Sequence, residues 1–186
     1  MYGPLTLAFK YLRYLFTAAN GKGHGVHSPF VFEFITRVLN DKRHFYAFDA
    51  IEKLRTQLLS NHNSITIQDF GAGSRVAKTN TRKISEVAKG SLKPAKYSQL
   101  LFRMIDYYAP KQIIELGTSL GITTSYLASA KTDAQVTTFE GSATIAQIAR
   151  QNHGLLGLTN ISLLEGNFDE ELPKWLLNHK KVDFAF

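Results

Sequence analysis

The sequence contains no cysteine. That excludes disulfides, thiolate-bound metals and cysteine nucleophiles, and it suits a reducing cytoplasm, the compartment expected here. Long apolar runs are also missing. None approaches the ~20 residues that a membrane-spanning helix needs, and Lys10 and Arg13 break the apolar N-terminus where a secretory leader needs an unbroken core. Basic blocks are absent too. The formal net charge is +7, but its lysines and arginines are scattered. Such a charge permits nucleic acid as a partner, yet nothing gathers it into a stripe that would follow a phosphate backbone. A small-molecule partner is the better expectation.

What is present is the balance of a globular protein: 44% hydrophobic residues against 20% charged, which argues against disorder. The length of 186 residues accommodates one domain, or one domain with an N-terminal extension. Residues 5–16 have helical spacing, with Leu5, Ala8, Phe9, Leu12, Leu15 and Phe16 on one face. A glycine-rich loop follows, Asn20 to His27, and Ser28-Pro29 opens a second helix over 29–40. His24 and His27 in that loop are the candidates for a catalytic base. No carboxylate at ligand spacing accompanies them, so no metal site is expected, and solvated loop histidines are the plainer reading. A third helix is predicted over 47–60 and a strand over 65–70. Asp69-Phe70-Gly71 echoes a kinase magnesium motif, and Asp69-x-Gly71-x-Gly73 a nucleotide-binding turn. Both lack their context, because basic and polar residues follow (Arg75, Lys78, Lys83) instead of an apolar helix; a tight turn carrying a basic loop is expected. A short helix over 82–92 precedes Pro94.

Beyond Pro94 the pattern becomes regular. A helix over 98–108, a strand at 112–116, a helix at 121–130, a strand at 135–139, a helix at 142–153, a strand at 160–164, a short helix near 170–179 and a strand at 182–186 are predicted. Strands alternating with helices imply an α/β, Rossmann-like parallel sheet of about four strands, with helices on both faces and an N-terminal helical extension. The domain boundary is placed at 93/94. Ligands of such sheets bind beyond the carboxyl ends of the strands. Polar groups recur at three of these ends: Glu115 with Gly117, Thr118, Ser119 and Gly121; then Glu140; then Gly166-Asn167-Phe168 after Glu165. A carboxylate about twenty residues beyond the glycine turn suits two ribose hydroxyls, and Asn167 with Phe168 suits an adenine edge and face. Each group alone has an ordinary explanation: a buried carboxylate satisfied by amides, a helix N-terminal charge, a turn former. Together they predict a nucleoside site. A dinucleotide site would carry Gly-x-Gly-x-x-Gly. Here the turn reads Glu115-Leu-Gly117-Thr-Ser-Leu-Gly121, without the second glycine and with an acid before it. That acid repels pyrophosphate and attracts an ammonium, which favours S-adenosylmethionine over NAD.

Residues from about 95 onward resemble the class I S-adenosylmethionine-dependent methyltransferases, closest to the small-molecule O-methyltransferase type. Lys96-Tyr-Ser-Gln-Leu-Leu101 is similar to the helix before the first motif, and Ile114 to Thr124 resembles that motif. The resemblance implies that Thr123 meets the methionine carboxylate, that Gly117 passes close to the cofactor, that Glu140 holds the ribose, and that Gly141, Ser142, Gly166, Asn167 and Phe168 border the adenine. It also implies seven strands, with an acceptor-side aspartate just after the fourth. Four strands are legible, so the chain reads as a truncated methyltransferase with its cofactor half present, and its apolar fourth strand leads us to expect self-association. Two other readings stay open: a non-catalytic nucleoside-binding or self-associating module, and an NAD-dependent oxidoreductase. The N-terminal part, including His24 to Phe30, resembles the helical extension of uncharacterised bacterial members of the superfamily.

Overall fold

In the computed structural model, residues 4–17, 27–69, 78–179 and 181–186 are described. They divide into two compact units, Met1–Arg43 and His44–Phe186. The first contains α1 (Pro4–Thr17) and α2 (Pro29–Glu33), which continues as a π-helical turn over Phe34–Leu39. Ser28 caps α2 by accepting from the Val31 amide at 3.4 Å, and Pro29 occupies its first turn, where no amide donor is required. The helix expected over 29–40 is thus two kinds of helix in series.

The second unit contains α3 (Phe48–Leu59), β1 (Ser64–Asp69), β2 (Lys78–Lys83), α4 (Ile84–Ser91), α5 (Ala95–Tyr108), β3 (Gln112–Leu116), α6 (Ile122–Ala130), β4 (Gln135–Glu140), α7 (Ala143–Leu155), β5 (Ile161–Glu165), α8 (Phe168–Asn178) and β6 (Phe184–Ala185). Four parallel strands form its central sheet in the order β5-β4-β3-β6. The chain steps outward from β3 through α6, β4 and α7 to β5. Helix α8 then returns it to the other side of β3, so the strand order reverses between β3 and β6.

Alternation along the central strands sends side chains to opposite faces. Ile113 and Val136, which are register partners, pack with Ile105 of α5 and Leu127 and Ala128 of α6. Ile114 and Phe139 face the other way and meet Trp175 of α8, with the Phe139 and Trp175 rings edge-on at 6.4 Å. The predicted α/β architecture with helices on both faces is therefore present. Strand β5 departs from the expectation of strands buried throughout, because it is an edge strand and Ser162 and Glu165 reach solvent. The strand expected over 182–186 is regular at Phe184–Ala185, and its backbone bonds to β3 run from the Asp183 amide, which donates to the Gln112 carbonyl at 2.9 Å, to the Phe186 amide, which donates to the Ile114 carbonyl at 2.9 Å.

Residues 44–92 belong to the same compact unit as the sheet. Phe48, Ile51, Leu54 and Leu58 of α3, Ile67 of β1 and Ile84, Val87 and Ala88 of α4 share one core with Phe102, Ile122, Tyr126 and Ile145. A buried polar tie reinforces it: the Tyr126 hydroxyl donates to Glu52 at 2.7 Å, and Arg55 pairs with the same carboxylate at 2.9 Å. The compact units thus part at Arg43/His44, whereas the sequence pattern changes near residue 93. The pattern marks where strand–helix alternation begins, and burial marks what packs together.

Strand β2 was not expected. Lys78–Lys83 pairs antiparallel with β1, from Ser64 opposite Lys83 to Asp69 opposite Lys78. Its sequence, Lys-Thr-Asn-Thr-Arg-Lys, carries no apolar alternation, so only its partner reveals it as a strand. Residues 70–77, which include Gly71, Gly73 and Arg75, lie outside the described residues. No helix among the described residues is long and apolar enough to cross a membrane.

Candidate functional site

Three strand ends lie side by side at the carboxyl edge of the sheet. Leu116 is in register with Phe139, and Glu140 with Glu165. The loops that follow hold nearly all the residues singled out above.

Glu115 is the innermost of them. It sits on β3 opposite Thr138 and is 1% exposed. Its Oε2 accepts hydroxyl bonds from Thr124 at 2.5 Å and Thr138 at 2.7 Å. The Thr138 hydroxyl also lies 2.6 Å from that of Thr118. Glu115 Oε1 is buried with no partner. A buried carboxylate loses hydration, and burial pushes this one up to about 7, against the lowering influence of the two threonine bonds. Half of its acceptor capacity is unused in a place that water does not reach, a costly arrangement unless something arrives to use it.

The turn above it is shaped by its backbone. Gly117 and Gly121 have φ of +98° and +79°, and Ser119, with φ +49°, is a serine in the left-handed region. A non-glycine residue there costs roughly 1 kcal/mol or more and needs compensation. Ser119 has it twice: its amide donates to Glu140 Oε2 at 2.8 Å, and its hydroxyl donates to Ser91 Oγ at 2.7 Å. The Gly117 and Thr118 amides both donate to the Phe139 carbonyl at 3.0 Å. From behind, Asn152 Nδ2 donates to the Leu120 carbonyl at 2.8 Å, and His153 Nε2 lies 3.3 Å from the Gly121 carbonyl. A Cβ on Gly121 would meet His153 Nε2 at 2.4 Å, so glycine is required for space as well as for φ. Burial lowers the His153 imidazole to about 4, so it is neutral at physiological pH. Past Gly121, α6 begins with amides that have no partner inside the helix, and Thr123 stands half-buried in that first turn.

At the second strand end Glu140 is half-buried. Its Oε1 accepts from the Ser142 amide at 3.0 Å, across Gly141, while Oε2 holds the Ser119 amide. Each carboxylate oxygen keeps a further lone pair. Ser142 Oγ is buried without a partner. At the third, Gly166 has φ +135°, and its amide donates to the Glu140 carbonyl at 3.0 Å. A Cβ there would meet Glu171 Cγ at 2.8 Å. The Asn167 side chain accepts from the Asp169 amide at 3.0 Å and so caps α8, the turn-forming role weighed above for it. Phe168 is exposed.

The carboxyl edge therefore gathers Glu115, Gly117, Thr118, Ser119, Gly121, Thr123, Glu140, Gly141, Ser142, Gly166, Asn167 and Phe168 along consecutive loops. His24 lies outside the described residues, and His27 belongs to the other compact unit, where it is exposed. Among the described residues, no group of three or more histidine, aspartate and glutamate side chains is placed to hold a metal. Sequence reasoning gave no role to Thr124, Thr138, Asn152, His153 and Ser91. Thr124 closes the motif read from Ile114 onward, and Thr138 left a trace as a polar residue inside a strand that is otherwise covered on both faces. The other three left none, because their partners are distant in sequence.

No family model and no curated protein matches the chain. Among solved structures, it is similar to an O-methyltransferase from Bacillus cereus in complex with SAH, at 20% identity over 84% of this chain and 59% of that one, with a TM-score of 0.49. It is also similar to the SAH-bound methyltransferase PaMTH1 of Podospora anserina, at 13% identity over 94% of this chain and 55% of that one, TM-score 0.49. A third is the O-methyltransferase TomG of Streptomyces achromogenes, in complex with SAM, at 16% identity over 71% and 48% of the two chains, TM-score 0.46. The chain spans about half the length of these structures.

Proposed function

We propose that the chain binds S-adenosylmethionine and serves a methyltransferase acting on a small molecule. The observation that carries this reading is the buried, half-used carboxylate of Glu115 under a glycine turn that opens a helix. An ammonium group fits an orphaned carboxylate oxygen; a pyrophosphate does not. The free amides at the start of α6, with Thr123, suit the carboxylate of the same amino-acid end. Glu140 retains lone pairs for two ribose hydroxyls, and Gly141, Ser142, Gly166, Asn167 and Phe168 are assigned to the adenine side, with the unpartnered Ser142 hydroxyl available there.

When bound, the sulfonium supplies an electrophilic methyl group. The residues of this chain hold and orient it, and catalysis rests mainly on the proximity and alignment of the acceptor. His24 and His27 stay candidates for a base toward a hydroxyl acceptor, and unchanged turnover with both replaced by alanine removes them. A cytoplasmic location and self-association belong to the same reading, the first suited by a chain without cysteine.

Calorimetric titration with S-adenosylhomocysteine, with NAD as control, tests the assignment. Micromolar binding is expected, rising in affinity from pH 6 to pH 8 as Glu115 ionises through about 7. Glu115→Gln should flatten that pH dependence. Glu140→Ala should weaken binding by about 3 kcal/mol, roughly a hundredfold. Binding of NAD in preference, or of neither compound, would sink the reading.

A further inference from the structure

A line of hydroxyls stands behind the buried carboxylate of Glu115. Thr138 donates to Glu115 Oε2 at 2.7 Å, and the Thr118 hydroxyl lies 2.6 Å from that of Thr138. A hydroxyl carries a single hydrogen. Thr138 has given its own to the carboxylate, so Thr118 donates to Thr138. The line therefore runs one way, from Thr118 through Thr138 to Glu115. Thr124 adds a second donor to the same oxygen at 2.5 Å. All four residues are buried, none more than 3% exposed. The backbone holds Thr118 to the same strand, since its amide donates to the Phe139 carbonyl at 3.0 Å. Its hydroxyl, expected among the cofactor-binding groups, is thus engaged behind the site.

Packing alone does not call for this line. Thr138 sits inside the buried stretch of β4, where valine would fill the same space without a hydroxyl. A buried polar network with one unsatisfied member is worse than an apolar core. What the line does is orient. Both donors converge on Oε2, so Oε1 is left as the open acceptor. Both also favour the ionised carboxyl, against burial, which raises it. The titratable groups around Glu115 give no such help. Glu140, at the end of β4, raises it further. His153 of α7, behind Gly121, is neutral at physiological pH. Tyr126, farther along α6, is bound to Glu52, which is paired with Arg55. Phe184 and Ala185 of β6 do not titrate.

We propose that Thr138 is a positioning residue, which fixes Glu115 with Oε1 open and sets the pH above which the site accepts an ammonium. The inference rests on the reading of the site proposed above. Thr118 acts through Thr138: by donating to its oxygen it polarises the hydroxyl and strengthens the bond onward to Glu115.

The test is a carbon-13 NMR titration of the Glu115 carboxyl in the ligand-free chain, joined to calorimetric binding of S-adenosylhomocysteine from pH 6 to pH 9. In the parent the carboxyl should titrate at about 7. Thr138→Val should move that midpoint up by about 1 pH unit, the effect of one hydrogen bond to a charged group. Affinity should fall about fivefold at pH 7, where the variant is mostly protonated, and return to within about twofold of the parent at pH 9. Thr138→Ser, which restores the hydroxyl, should keep the parent's profile. Thr118→Val should move the midpoint in the same direction by less, and it carries the test if Thr138→Val does not fold. An unmoved midpoint, or a loss of affinity that is equal at every pH, overturns the proposal. If S-adenosylhomocysteine binds and the midpoint stays, the proposal falls and the cofactor reading stands. If the midpoint moves in a chain that does not bind S-adenosylhomocysteine, the hold of Thr138 on Glu115 stands and the methyl donor falls.

Discussion

The two edges of the central sheet are built on opposite principles. At the amino edge, polar groups are used up. Asp183 Oδ2 accepts from the Lys111 and Gln112 amides, both at 3.0 Å, and its other oxygen pairs with Lys181 at 2.7 Å. Asn160 Nδ2 donates to the carbonyls of Ala128, Lys131 and Ala134 between 2.9 and 3.2 Å. Lys111 closes on Asp133 at 2.5 Å. These bonds clip strand starts together and leave nothing for a ligand. At the carboxyl edge, Glu115 Oε1 and Ser142 Oγ are buried without partners. Unmet hydrogen-bonding capacity is a cost that a sheet does not need for its own stability. Its concentration at one edge separates the part of the molecule that binds from the part that holds it together. Backbone strain does not divide the edges, because Ala109, just before β3, and Ser119 both stand in the left-handed region.

Four changes probe this contrast, from the largest expected effect to the smallest. Gly121→Ala places a methyl group at φ +79° and 2.4 Å from His153 Nε2. Chemical denaturation should show a loss of about 3 kcal/mol or more, and nucleoside binding should vanish with it. A tolerated alanine would mean that the turn is less constrained than its brace suggests.

Acid should attack the same brace. His153 has a folded value of about 4, below its unfolded value near 6.5, so its stabilising contribution is complete above that unfolded value. It is lost as pH falls from about 6.5 to 4, where the unfolded chain binds a proton that the folded one refuses. The cost is about 3 kcal/mol. His153→Gln should lack this part of the pH–stability curve, and an unchanged slope would remove the assignment.

Asn160→Ala should cost about 2 kcal/mol, because three carbonyls lose one shared donor. Affinity for S-adenosylhomocysteine should stay within twofold or so of the parent. A large loss of affinity would blur the division between the edges. Asp183→Asn should have the smallest effect, and only where the carboxylate is charged. The bond to Lys181, helped by the two amides, holds the Asp183 carboxyl down to about 2. Its contribution is present above the unfolded carboxylate range near pH 4 and fades as pH falls toward 2. The variant should flatten the acid limb of the melting-temperature profile, lie slightly below the parent at pH 7 and meet it near pH 2; a variant that matches the parent at pH 7 would remove the assignment.

Much of the fold was legible because local signals agreed. Gln112 to Leu116, Gly117, Gly121 and the helix after them follow from an apolar run, two glycines and a 3.6-residue period, and the structure places them within a residue of expectation. The register of Glu140 with Glu165 follows from the regular spacing of strands and helices. The polar strand β2 was hidden because strands are recognised by alternation, and this one has none. The unit formed by residues 44–186 was hidden for a related reason: the helices before Pro94 have their own amphipathic periods, and a period does not say which neighbour an apolar face will meet.

By itself, then, the order of residues determined the parallel α/β core, the glycine turn and the three polar strand ends, because each depends on contacts within a few residues or on a repeated spacing. Tertiary structure alone decided that Glu115 is buried with an unused oxygen beside Thr124 and Thr138, and that Asn152 and His153 brace the turn from α7. It also decided that Ser91 grips Ser119 from α4. Those features depend on which groups are stripped of water together, and desolvation is a property of the packed chain.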